Sequence, residues 1–210
     1  MQMGMSFRSG KLHSSRLPSV LSLIAAILVS AIALQEGDCK MQTKRAVMII
    51  AHSNYRDEEL KVPFDILKSG GVDVKVASND LGVAKGMLGG VTTPDMLVGD
   101  INVEDFDAVI FVGGAGASCY WDDKTAHRIA NETIAKGKLL GAICIAPVTL
   151  ANAGVLKGKN ATVWASEGKA LQAGGAHYTK KGVEIDGNII TANGPVSAEA
   201  FGKAILNKLK

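Results

Sequence analysis

The sequence predicts an α/β fold, a doubly wound and mostly parallel sheet with helices on both faces, and three observations predict it. Continuous apolar runs recur at RAVMIIA (45–51), DAVIFVGG (107–114) and KLLGAIC (138–144). Runs without polar alternation mark strands covered on both faces. Segments with helical spacing stand between them, and strand–helix alternation is the pattern of a parallel sheet with ligands at the carboxyl ends of its strands. No internal repeat or low-complexity linker divides the chain, and 210 residues at 47% hydrophobic and 20% charged suit one well-filled domain.

The elements follow in order. After the first strand, DEELKVPFDILKSGG (57–71) places Leu60, Phe64 and Leu67 on one helical face, with acids in the first turn and Gly70-Gly71 as the stop. VDVKVAS (72–78) is the second strand. Residues 80–105 hold glycines and short apolar pieces, a hairpin-like excursion ending at NVEDF. DAVIFVGG is the third strand, and the helix beyond it takes Asp122 or Asp123 as N-cap. KLLGAIC leads into a short helix in IAPVTLANAG, with Gly154 in the C′ place. ATVWAS (161–166) reads as a strand and EGKALQAGG as a short helix. VEIDGNII (183–190) reads as a hairpin around Asp186-Gly187, a type I′ pair, and SAEAFGKAILNKL as the closing helix.

The first forty residues are set apart. Residues 1–19 carry Arg8, Lys11 and Arg16 and no acid, and an apolar stretch then runs from Leu17 to Leu34. Ala31-Ile32-Ala33 has the small-x-small form of a signal-peptidase site. A secretory signal fits, as does a marginal membrane anchor, because a spanning helix needs ~20 apolar residues. Gly37-Asp38-Cys39 is a poor lipidation site, since Asp38 stands where a small residue belongs. A misassigned start fits equally: Met41 opens MQTKRAVMIIAH, a short basic lead into a strand. The domain therefore spans 41–210, cytoplasmic if Met41 is the true start and otherwise exported or anchored through 17–34. An exported form would leave a reactive thiol in an oxidising compartment, which tilts the reading towards a cytosolic domain.

Composition narrows the function classes. The first forty residues hold four basic and two acidic residues, leaving 19 basic against 18 acidic in the remainder. There is no basic stripe with interleaved aromatics, hence no nucleic-acid footprint. Cys39, Cys119 and Cys144 are too few and too scattered for a disulfide framework. His13, His52, His127 and His177 show no ligand spacing, so neither a metal nor a cofactor is expected.

Three segments meet at the expected strand ends. In GAICIAPVTLANAG (141–154), Ala142 and Ala146 flank Cys144 as a tight strand–turn–helix elbow requires, and the helix beginning near Ile145 would aim its N–H groups at the sulfur and lower the thiol pKa. A buried structural cysteine fits the same spacing. VGGAGAS (112–118) is a glycine-rich loop after a buried strand, where amides can converge on a developing negative charge. It lacks the ending of a phosphate loop. Glu58-Glu59 stand in the first helical turn, where acids serve as dipole partners, or where one turns inward to share a proton with a thiol.

Taken together, KRAVMIIA, DEELKVPFDILKSGGVDVKVAS, DAVIFVGG, KLLGAICIAP and GAHYTKKGVEIDGNIITANGP resemble the DJ-1/PfpI family, with the segments in family order over about residues 44–209. The resemblance implies a flavodoxin-like fold with a nucleophile elbow, a small-molecule substrate and a homodimer. It implies that Cys144 is the reactive nucleophile and that Glu59, four residues before Pro63, is the acid bonded to it, with Glu58 facing outward. It implies Gly113 and Gly114 as oxyanion-loop glycines and the Ile145 N–H as a further donor.

The departures bear on activity. Members like the PfpI endopeptidase carry a histidine after the cysteine, where this chain has Ile145. Members with glyoxalase or deglycase-like activity often use a histidine one strand later, where this chain has VWASEG (163–168). His177 matches a different family histidine, leaving Trp164 or Ser166 to face the pocket. His52 is the stray candidate for a base. Tyr120 and Trp121, with Cys119, are candidates to wall the pocket or to form a dimer contact. The leading reading is a cysteine-dependent enzyme acting on small reactive carbonyls. The alternatives are a redox-sensing or chaperone-like stress protein, and a cysteine peptidase.

Overall fold

In chain order the strands are β1 (Arg45–Ile50), β2 (Ser53–Tyr55), β3 (Asp73–Ser78), β4 (Ala84–Gly86), β5 (Val91–Thr92) and β6 (Met96–Leu97). They continue with β7 (Ala108–Phe111), β8 (Leu139–Ile143), β9 (Asn160–Ala161), β10 (His177–Tyr178), β11 (Val183–Asp186) and β12 (Ile189–Ala192). The helices are α1 (Asp57–Ser69), α2 (Lys124–Ala135), α3 (Pro147–Asn152), α4 (Gly168–Ala173) and α5 (Ala198–Leu209). These come from a computed structural model that describes residues 43–210, together with positions 1, 2, 4, 5 and 10. The signal-like or anchor segment expected over 17–34 and the Ala31–Ala33 site lie outside the described residues. Among the described residues no helix is long and apolar enough to cross a membrane.

The main sheet has the order β11-β12-β8-β7-β1-β3-β6, and every neighbouring pair is parallel except β11 with β12. Successive residues of a strand face opposite sides, so each apolar run serves two cores. Ala46, Met48 and Ile50 of β1 pack with Ile110, Leu67 and Phe201 towards α1 and α5. Val47 and Ile49 pack with Phe111, Ile129, Leu150 and Leu171 towards α2, α3 and α4. This is the doubly wound, flavodoxin-like arrangement. α1 and α5 approach closely, since a Cβ on Gly202 would fall 2.9 Å from the Pro63 Cα.

The 80–105 excursion does two things. β4 and β5 form an antiparallel hairpin that pairs with β2 in a small separate sheet, and β6 then joins the main sheet at its edge. The hairpin is tied to α1 by Asp57, whose carboxylate accepts from Leu88 N (2.8 Å) and Gly90 N (2.7 Å). At α2, Asp123 is the N-cap and accepts from Ala126 N at 2.7 Å.

Two local expectations are corrected. ATVWAS is not a strand over 161–166: only Asn160–Ala161 pairs, with β10 in a two-stranded sheet. Thr162 N donates to the Thr191 side chain (2.9 Å) and Trp164 N to the Cys144 carbonyl (2.8 Å), so the segment crosses the ends of the main strands instead of running along one. In the β11–β12 hairpin, Asp186 pairs with Ile189, so the loop is Gly187-Asn188. Only Gly187 has positive φ (61°), which fits type II′ and not type I′. Asp186 is held in the strand because its carboxylate accepts from Asn160 N at 2.9 Å.

Candidate active site

Cys144 stands between β8 and α3 with φ +64°, in the left-handed region that residues with a Cβ rarely occupy. The turn is tight: Ala146 N donates to Ile143 O at 3.1 Å. Ala142 and Ala146 are both buried, and larger side chains there would press on the packed sheet. The backbone is pinned on both sides, with Cys144 N donating to Ala192 O (2.9 Å) and Trp164 N donating to Cys144 O (2.8 Å).

Glu59 comes from the first turn of α1 and is completely buried on the helix face that also carries Leu60, Pro63 and Leu67. Its neighbour Glu58 turns to the surface and accepts from Arg56 Nε (2.8 Å) and Nη2 (3.1 Å). Glu59 and Cys144 converge across Gly113, where an added Cβ would fall 2.5 Å from Cys144 Cβ, 2.7 Å from Ile143 O and closer still to Glu59 Oε2. Only glycine leaves room for that meeting.

The electrostatics follow from burial. Desolvation raises the Glu59 pKa from 4.5 to about 7, helped by Glu58 and opposed by the Cys144 side chain, Arg56 and the Gly113 amide. Neither Glu59 oxygen has a partner that meets full hydrogen-bond geometry, although the thiol and the Gly113 N–H are close enough to act on its ionisation. Such surroundings favour the uncharged carboxyl near neutral pH, because an unpaired buried carboxylate is costly. Burial likewise pushes the Cys144 thiol up to about 12, with the Glu59 charge adding to it and the N–H groups of Gly114 and Ile145 opposing. The lowered thiol pKa expected from the sequence is therefore corrected. α3 starts only at Pro147, so the sulfur meets two individual amides rather than a helix end. Each group raises or lowers the other's pKa, so the two titrate as one coupled pair.

The other sequence candidates separate. The His52 ring lies beside Gly82, and its Nδ1 is 3.8 Å from Asp80, at the β3–β4 loop. It is not among the groups acting most on Cys144 or Glu59. Tyr120 is a core residue on the α2 side of the sheet, its hydroxyl donating to Ile50 O (2.9 Å) and its ring edge-on to Phe111. Trp121 does reach the elbow, with its indole N–H donating to Ile145 O at 3.2 Å. Cys119 and Ser166 are exposed, the latter bonded to Glu167. Trp164 is 46% exposed and lies against Gly194. His177 sits exposed on β10. Among the described residues no group of three or more His, Cys, Asp or Glu could hold a metal ion.

Sequence reasoning missed Arg56. It is the N-cap residue of α1, its N–H donates to Gly113 O at 3.0 Å, and its positive charge is felt by both Glu59 and Cys144. A cation just before an acid-rich first turn is the signal that could have marked it. A cavity of about 580 Å³ lies along α1, lined by Tyr55, Leu60, Phe64, Val76 and Val91, but Cys144 is not part of its wall. The buried ionisable pair and the strained Cys144 backbone are at the elbow instead.

Similar proteins are known over most of the chain. An uncharacterized protein of Methanocaldococcus jannaschii is 39% identical over 90% of this chain and 95% of its own length. Deglycase PfpI of Pyrococcus furiosus is 28% identical over 78% of this chain and 99% of its own. Among solved structures, a ThiJ/PfpI domain protein of Brachyspira murdochii is 34% identical with a TM-score of 0.78, over 80% of this chain and 96% of that one. The family model described as DJ-1/PfpI matches residues 44–208, and this chain belongs to the DJ-1/PfpI family.

Proposed function

We propose that the protein is a cysteine-dependent enzyme acting on small reactive carbonyls, in the manner of a glyoxalase or deglycase. The observation that carries this reading is the convergence of a strained Cys144 and a buried, readily protonated Glu59 across Gly113. The deglycase name of the Pyrococcus furiosus relative points the same way. The sulfur of the deprotonated pair adds to the carbonyl carbon, the C=O electrons move to oxygen, and Glu59 supplies the proton that makes a hemithioacetal. With a dicarbonyl such as methylglyoxal, Glu59 as carboxylate then takes the C–H proton and returns it to the neighbouring carbon, while the hydroxyl proton passes from the first oxygen to the second. Water releases the resulting thioester as a hydroxy acid. Cys144→Ser, checked for an unchanged melting curve, is expected to lower methylglyoxal consumption by about 10³-fold. A variant that keeps the wild-type rate would sink the mechanism.

One observation favours a second reading. The groups acting most on Cys144 include no imidazole, and Glu59 near pH 7 holds a proton it can donate to an oxidised sulfur. In a redox sensor the thiol would take up oxygen atoms and remain so. Mild peroxide followed by mass spectrometry is then expected to add two oxygens at Cys144 before Cys119. Oxidation at Cys119 first counts against it. The missing imidazole also disfavours peptide cleavage, which requires an acid for the leaving amine.

A further inference from the structure

The two amides at the Cys144 sulfur belong to peptide planes that are each held from behind. The Gly113–Gly114 peptide has its carbonyl bonded by the Arg56 N–H at 3.0 Å, and its amide is the Gly114 donor. The Cys144–Ile145 peptide has its carbonyl bonded by the Trp164 N–H at 2.8 Å, and its amide is the Ile145 donor. Neither donor has another backbone partner among the described residues. All peptides here are trans, so N–H and C=O oppose each other in one plane, and fixing the carbonyl direction fixes the amide direction. A bond accepted at the carbonyl also polarises the amide on the other side.

The holding groups come from different parts of the fold. Arg56 caps α1, and Trp164 lies on the segment that crosses the strand ends after β9. That crossing is what brings an N–H to the elbow. We infer that the backbone amides of Arg56 and Trp164 are positioning groups for Cys144, each holding a carbonyl so that the opposite amide of the same peptide faces the sulfur. The inference deepens the reading of Cys144 as a nucleophile and rests on it for the identity of the reacting atom.

Proline substitution removes an N–H without removing the residue. Trp164 has φ −51°, within the range that proline imposes, so Trp164→Pro loses the donor while Trp164→Ala keeps it and loses only the indole. The measurement is the rate of Cys144 alkylation by iodoacetamide against pH, located by peptide mass spectrometry. The Trp164→Pro profile is expected to move to higher pH, with a rate near neutrality about tenfold below that of Trp164→Ala, the size of weakening one hydrogen bond to a charged group. Identical profiles would overturn the inference. Arg56→Pro against Arg56→Ala repeats the comparison on the other plane, with some added backbone strain because φ there is −84°, just outside the proline range.

Should a proline variant fail to fold, the unaltered protein still decides. The Trp164 and Arg56 amide resonances are expected to shift with the same pH midpoint as Cys144 alkylation, and amides that stay fixed through that titration overturn the inference. Because alkylation needs no carbonyl substrate, loss of methylglyoxal turnover with these results intact would reject the proposed activity alone.

Discussion

Glu59→Gln is expected to gain stability relative to wild type as pH rises, by roughly 3 kcal/mol between about pH 4 and pH 8. The folded state holds the Glu59 proton up to about pH 7, whereas in the unfolded chain it leaves near 4.5. Between those values the folded state binds more protons than the unfolded state, so stability is fully present below the lower value and falls as pH rises to the upper one. Above it both states are ionised, and the folded state bears the whole penalty of a buried carboxylate. Glutamine has nearly the same shape and never ionises, so this fall is absent. Any constant penalty for burying an amide cancels, because the prediction concerns the difference between the two pH dependences. Denaturant unfolding of both proteins at several pH values measures it. Parallel curves would mean that the Glu59 carboxyl loses its proton at the same pH folded and unfolded, so that its burial carries no ionisation penalty.

Gly114→Ala is expected to destabilise the fold by about 4 kcal/mol, a large share of the ~5–15 kcal/mol that holds a domain together. Gly114 has φ 96° and ψ 160°, a region that is essentially glycine's alone and costs other residues ~1–3 kcal/mol. An added Cβ would also fall 2.5 Å from Asn54 O and 2.6 Å from the Tyr55 carbonyl carbon, with Arg56 N nearer still. These are backbone atoms, which cannot swing aside, so overpacking adds ~1–3 kcal/mol. Gly71→Ala is the control, because Gly71 has φ 84° with nothing within 4 Å of its Cβ position and isolates the conformational part. If the two variants lose equal stability, the close approach of the glycine loop to the start of α1 is wrong.

Much of the fold is readable from the chain because its strands are buried on both faces. Runs such as RAVMIIA and KLLGAIC carry no competing pattern, and Asp123 announces its helix by a local hydrogen bond. ATVWAS misleads because Ala161 and Val163 are buried by crossing the sheet's end rather than by pairing within the main sheet, while Trp164 is exposed. The Asp186-Gly187 pair misleads because Asp186 answers to Asn160, far away in sequence. At the site, the positions of Cys144, Gly113 and Glu59 follow from motif order. Tyr120 was open to either side of the sheet, since adjacency to a loop does not say which face a side chain takes. The positioning roles of the Arg56 and Trp164 amides are open to every residue but proline, so no side chain advertises them, and only the Arg56 charge ahead of an acidic turn leaves a readable signal.

The elbow's two successive carbonyls are bonded by the chain's two tryptophans, Cys144 O by the Trp164 backbone and Ile145 O by the Trp121 indole. Tryptophan fluorescence, excited beyond the tyrosine absorption band, is therefore a signal that arises only from residues bonded to the elbow. Both indoles are partly buried, Trp164 more exposed than Trp121, so chemical change at Cys144 is reported in emission wavelength and intensity without a label.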